Sequence, residues 1–135
     1  MGEVRLTWTG ERLQFAGRTA YGEPVIVGGD PDGPGAKPSD LLPLSLAACT
    51  AYDVVEILRK QRQRLRALEA IVTSEQDHEP PWTFRAIHVR FVLTGDVDER
   101  KAARAIDLAE AKYCSVAATL RPSVAVTHSF EIVPA

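Results

Sequence analysis

Apolar residues alternate with polar ones over residues 3–9, where Val4, Leu6 and Trp8 are interleaved with Glu3, Arg5 and Thr7. They alternate again over 11–17, where Leu13 and Phe15 stand between Arg12 and Gln14. This period of two predicts a strand hairpin that turns at Thr9-Gly10. Val25-Ile26-Val27 reads as a third short strand, and GGDPDGPGAKP, residues 28–38, as a loop. The pattern then changes. From Lys37 to Arg66 the middle is nearly unbroken Leu, Ala, Val and Ile, too long for a strand and too rich in Leu and Ala to prefer one. A helix fits: Ser39 or Asp40 caps it, Pro43 sits in its first turn, and Arg59, Lys60, Arg62, Arg64 and Arg66 suit its negative end. Alternation returns in Leu68–Glu75, and more clearly in Thr83–Thr94, where Ile87, Val89, Phe91 and Leu93 share a side. A capping box, Asp96 to Glu99, opens a second helix. Its stripe runs through Ala102, Ala105, Ile106, Ala109, Tyr113, Val116 and Leu120 to a stop at Arg121-Pro122. Ser123–Val133 closes the chain as a strand, with Val124, Val126, His128, Phe130 and Ile132 on one face.

The predicted order is βββ-α-ββ-α-β in one domain, residues 1–135, of the α+β class with an antiparallel sheet. A central helix apolar on most faces is buried on most faces. It carries more apolar surface than a few strands can cover. A second copy of the chain would cover the rest, so a homodimer with this helix near the interface is expected.

Composition narrows the function classes. A net charge of −2 gives no general pull toward nucleic acid or a membrane surface. No apolar run is expected to reach the length that spans a bilayer, and the N-terminal residues lack the pattern of a signal peptide. A cytoplasmic setting is the expectation. There, two cysteines point to reduced, catalytic or metal-binding thiols before a structural bridge.

Those cysteines, Cys49 and Cys114, lie on the two predicted helices, 65 residues apart, beside small neighbours. Two roles fit such thiols. They can be buried packing residues. Or one can attack a peroxide, become a sulfenic acid, and be resolved by the other to a disulfide that an external dithiol restores. The second role needs a thiol ionised near neutral pH, and so a cation close by. Arg18 is a candidate. The basic helix end is not: Arg59 lies ten residues past Cys49, roughly 15 Å along the axis. Asp40, nine residues before it, is about 13.5 Å away on the opposite face, so pairing the two needs a partner subunit or a broken helix. Asp53, one turn after Cys49, is on its face. His78, His88 and His128 are scattered without metal-ligand spacing, although two could meet on one sheet face. RKQRQRLR reads as a solvated helix end, and GGDPDGPG lacks the Gly-Lys-Ser/Thr of a phosphate loop. No cofactor or metal is expected.

Pro38-Ser39-Asp40-Leu41-Leu42, Ala47-Ala48-Cys49-Thr50 and Asp53-Val54 together resemble the OsmC/Ohr family of osmotically inducible and organic hydroperoxide resistance proteins. Ala105-Ile106 with Leu108-Ala109, then Lys112-Tyr113-Cys114-Ser115-Val116, is similar to that family's second-cysteine helix. The Cys-Thr-x-x-Asp-Val form looks like the general OsmC-like branch. The resemblance implies an intertwined α+β homodimer with two interface sites and thiol-dependent reduction of organic hydroperoxides. It implies Cys49 as the peroxidatic and Cys114 as the resolving cysteine. Arg18 corresponds to the family's N-terminal arginine, and Asp40 (or Ser39) stands near its glutamate. Leu41, Leu44 and Tyr52 would favour an apolar peroxide. The alternative is a non-catalytic relative that binds a small apolar or oxidised ligand in the same interface cleft.

Overall fold

The computed structural model describes residues 2–29 and 33–135, so residues 30–32 of the predicted loop lie outside the described residues. The chain divides into two compact units, Met1–Leu42 and Pro43–Ala135.

The first unit is a three-stranded antiparallel sheet in the order β1 (Arg5–Trp8), β2 (Gln14–Arg18), β3 (Val25–Gly28). The predicted hairpin forms, but its connection is wider than a two-residue turn. Trp8 pairs with Phe15, and the Thr9 N–H reaches the Gln14 carbonyl across an intervening loop at 3.0 Å. Gly28 is required where it stands: its φ is +79°, and a Cβ there would lie 2.1 Å from the Leu13 carbonyl oxygen. A tight 3-10 turn, Pro38–Asp40, leads into the long helix, so Ser39 and Asp40 lie within that turn.

The second unit carries the core. Helix α1 (Leu41–Lys60) is followed by β4 (Arg64–Gln76), β5 (Phe84–Asp96), α2 (Glu99–Leu108), a π-helical turn (Ala109–Tyr113), α3 (Ser115–Leu120) and β6 (Ala125–Val133). The basic run does not all belong to the helix end: Arg64 and Arg66 lie on β4, beyond a reversal at Arg62. The helix cap is Asp98, not Asp96; its side chain accepts from the Lys101 N–H at 3.0 Å.

The sheet order is β4-β5-β6. β4 and β5 are antiparallel, but β6 runs parallel to β5, which corrects the expected antiparallel sheet. The reason is the connection. A parallel neighbour needs a crossover of a dozen or more residues, and the helical segment between β5 and β6 supplies it. Ile87, Val89, Phe91 and Leu93 alternate inward from β5, where they join Leu46, Val54 and Leu58 of α1 and Ala102, Ala105 and Ile106 of α2 in one buried cluster. Burying each large apolar side chain stabilises the fold by roughly 1.5–3 kcal/mol. Gly95 permits the bulge where β4 begins: its φ is +143°, and a Cβ would meet the Arg64 carbonyl oxygen at 2.1 Å.

Contrary to the sequence expectation, Pro38–Lys60 is long and apolar enough to cross a membrane, with a mean hydropathy of 1.6. Isolated polar residues such as Thr50 and Asp53 interrupt the run without lowering its average below that level. Here one side of the helix is covered by protein instead, with Leu46, Val54 and Leu58 fully buried.

The predicted second helix is broken. Its buried positions run Ala102, Ala105, Ile106 and Ala109, then jump five residues to Cys114 and continue at Ala117. The jump is the π-turn, in which the Cys114 N–H bonds to the Ala109 carbonyl, five residues back, at 2.8 Å. One extra residue in the turn rotates Tyr113, expected in the apolar stripe, out to 53% exposure and brings Cys114 inward.

Candidate functional site

Both cysteines are free thiols, and the fold brings them together. Cys49 is half-buried on α1, packed against the core. Its neighbour Thr50 is buried and donates its hydroxyl back to the Leu46 carbonyl at 2.9 Å. Cys114 occupies the joint between the π-turn and α3, in an extended backbone conformation, and is 2% exposed. Its Sγ accepts from the Ala117 N–H at 3.3 Å, and Cys49 is close enough to hydrogen-bond with it. Burial, followed by the contact with Cys49, pushes the Cys114 thiol up to about 11; the Ala117 N–H opposes the shift. Cys49 is the more accessible of the two thiols and so the one positioned to meet a reagent from solvent.

A cleft of about 400 Å³ opens between the C-terminal half of α1 and the α2–π-turn segment, lined by Asp53, Glu56, Ile57, Lys60, Gln61, Leu108 and Tyr113, with neither cysteine in its wall. Asp53 lies one helical turn past Cys49, and Tyr113 directly precedes Cys114. The wall combines an apolar strip, Ile57, Leu108 and Tyr113, with carboxylates and one ammonium. Gln61 Oε1 is buried with no hydrogen-bond partner among the described residues. On the adjacent side of α1, Ala48, Ala51, Tyr52, Val55, Glu56 and Arg59 line a shallow groove, and Leu44 and Tyr52 stand 58% and 72% exposed.

The other predicted site residues belong to the first unit. Arg18 is exposed at the end of β2, Ser39 is half-buried, and Asp40 is exposed in the 3-10 turn. Asp53 joins the cleft. The histidines do not meet on one face. His88 points to one side of the sheet, with Nδ1 2.7 Å from Thr127 Oγ1 and Nε2 2.9 Å from Ser129 Oγ. His128, paired in register with Val89 and not with His88, points to the helical side. His78 is exposed in the turn after β4. Among the described residues no three His, Cys, Asp or Glu side chains gather as a metal site.

A pairing that sequence reasoning passed over forms at the π-turn that precedes Cys114. Glu110, inside the π-turn, contacts His128 Nδ1 on β6. The other ring nitrogen, Nε2, lies 3.1 Å from Asp107 Oδ1. The available signal was His128 itself, a polar residue in the otherwise apolar row Val124, Val126, Phe130 and Ile132. Such a residue requires a polar partner.

Residues 29–129 match the family described as OsmC-like protein. Protein YhfA of Escherichia coli K12 is 38% identical, with 98% of this chain and 99% of that protein covered. A hypothetical protein of Aquifex aeolicus superimposes with a TM-score of 0.89 at 28% identity, covering 100% of this chain and 98% of the other. The organic hydroperoxide resistance protein OhrB of Bacillus subtilis shares the fold, with a TM-score of 0.63 at 19% identity over 97% of this chain and 98% of that one.

Proposed function

The chain belongs to the OsmC-like protein family, and on that premise we propose that it is a cysteine-based peroxidase for organic hydroperoxides. The observation that carries the reading is the contact between two free thiols, Cys114 buried and Cys49 partly accessible. Cys49, as thiolate, attacks the distal oxygen of the hydroperoxide. The O–O bond breaks, the alcohol leaves with a proton, and Cys49 becomes a sulfenic acid. Cys114 then attacks that sulfur, the hydroxyl departs with the Cys114 proton as water, and a disulfide forms. An external dithiol reduces it by two exchange steps. The apolar strip of Ile57, Leu108 and Tyr113 receives the organic part of the substrate.

Ionising Cys49 calls for a cation from outside α1, because Arg59 and Lys60 lie at least ten residues, roughly 15 Å, beyond it. Arg18 fills that role in this reading, with Asp40 orienting the guanidinium across a dimer interface. The exposed Leu44, Ala48 and Tyr52 stripe on α1 supports a homodimer, and Tyr52→Glu is expected to shift the sedimentation of the protein toward monomer. Two free thiols this close to one another suit a reducing compartment such as the cytoplasm.

The test mixes the reduced protein with cumene hydroperoxide and dithiothreitol. Consumption of peroxide is expected from the wild type and is expected to fall by at least about 100-fold in Cys49→Ser, the usual scale for loss of a nucleophile. Equal consumption by both would end the peroxidase reading. Binding of cumyl alcohol by Cys49→Ser without any turnover by the wild type would favour a non-catalytic binding protein that uses the same cleft.

A further inference from the structure

We propose that Glu110 and His128 are positioning residues that hold the π-turn in its register and so hold Cys114 against Cys49. This rests on the reading of the two thiols as a reacting pair.

A π-turn is the rare alternative to the α-helical turn and persists where surrounding contacts enforce it. Here the enforcing contacts converge on Glu110. In an α-helical register the Cys114 N–H would bond to the Glu110 carbonyl, four residues back. That carbonyl instead accepts from the Arg121 guanidinium at 2.7 Å, and the Cys114 N–H bonds to Ala109. The Glu110 side chain is held from the other direction by His128 Nδ1, on the strand beside the centre of the sheet. His128 has little freedom of its own, because Nε2 lies 3.1 Å from Asp107 Oδ1. The imidazole thus spans the last turn of α2 and the π-turn, and fixes both to β6.

Without this clamp the segment can relax by one residue toward the α-helical register. A one-residue change of register turns every following side chain by about 100°. Tyr113 would then face the core and Cys114 would turn away from Cys49. The two-electron exchange between them would lose its geometry while both thiols remained in place chemically.

The experiment equilibrates the full-length protein in mixtures of reduced and oxidised glutathione and measures the Cys49–Cys114 disulfide by mass spectrometry. In the reaction followed, the protein dithiol plus glutathione disulfide gives the protein disulfide plus two glutathione molecules. His128→Ala is expected to lower this equilibrium constant at least about tenfold and to speed alkylation of Cys114. His128→Asn keeps an N–H donor near the position of Nδ1 and is expected to recover most of the loss. A role confined to stability would lower the denaturation midpoint of both variants while leaving the redox equilibrium unmoved. An unchanged equilibrium in a folded His128→Ala protein overturns the clamp. If that variant does not fold, Glu110→Ala, which removes the partner of His128 Nδ1, decides in the same way: a fall in the constant supports the clamp and no change overturns it. A wild type that forms no disulfide at any glutathione ratio removes the thiol-pair reading instead, and the clamp with it.

Discussion

The two cysteines are carried by helices built on opposite plans. α1 runs for 20 residues without a break, and its buried side chains follow from regular turns: Leu46, Thr50, Val54 and Leu58 recur every four residues. The segment bearing Cys114 is three short pieces, α2, a π-turn and α3, whose buried positions change phase at the turn. Cys49 is therefore placed by the packing of a whole helix, and Cys114 by a few hydrogen bonds and ion pairs at one irregularity. In the proposed cycle Cys114 has to stay beside the sulfur that was oxidised. On α1 the core does the holding, whereas on the irregular segment a handful of polar contacts must do it. The position of one thiol is thus spread over a whole helix and that of the other is concentrated at one turn.

The comparison yields predictions of graded size. Leu46→Ala, at a fully buried position on α1, is expected to cost about 2–5 kcal/mol in chemical denaturation. A smaller loss would mean that α1 does not anchor the core. A second effect, smaller and pH-dependent, comes from Cys114. Folded, this thiol holds its proton up to about pH 11, whereas the ordinary value is 9.0. The unfolded chain binds fewer protons between these values, so stability is complete below pH 9 and declines as pH rises through 11. The decline attributable to this group is at most about 3 kcal/mol, measured as the difference between wild type and Cys114→Ser across that range. Identical profiles for the two proteins would contradict the enclosed environment described for the thiol. The smallest effect is expected for Tyr113→Ala. A residue of the apolar stripe would cost several kcal/mol, but Tyr113 is turned outward by the π-turn, so a change within about 1 kcal/mol is expected.

Most of the second unit could be read from periodicity. The alternation of Ile87, Val89, Phe91 and Leu93 could have been satisfied only by a strand with one enclosed face, and the Leu- and Ala-rich run beginning at Leu41 only by a long helix. The direction of β6 was not legible, because an alternating strand has the same pattern in either orientation and only its connection decides. The break at Ala109 was hidden for a related reason. Tyr113 and Cys114 are adjacent, one fitting the α-helical spacing from Ala109 and the other the π spacing, and apolar pattern alone does not choose between them. The meeting of two thiols 65 residues apart came from the family resemblance, since nothing in their spacing announces it. The pairing of Glu110 with His128 was not legible, because it exists only once β6 lies beneath the crossover.

The parallel placement of β6 also has a consequence for the order in which the chain is made. The central strand of the sheet, β5, acquires its second neighbour only from the last stretch of the sequence, Ala125–Val133. Yet α1, whose hydropathy matches that of a bilayer-crossing segment, leaves the ribosome well before that strand. At roughly 5–20 residues per second the nascent helix waits several seconds for Phe130 and Ile132 to complete the layer on which the core closes. During that interval the most oil-like piece of the polypeptide has emerged while the strand that completes its sheet has not.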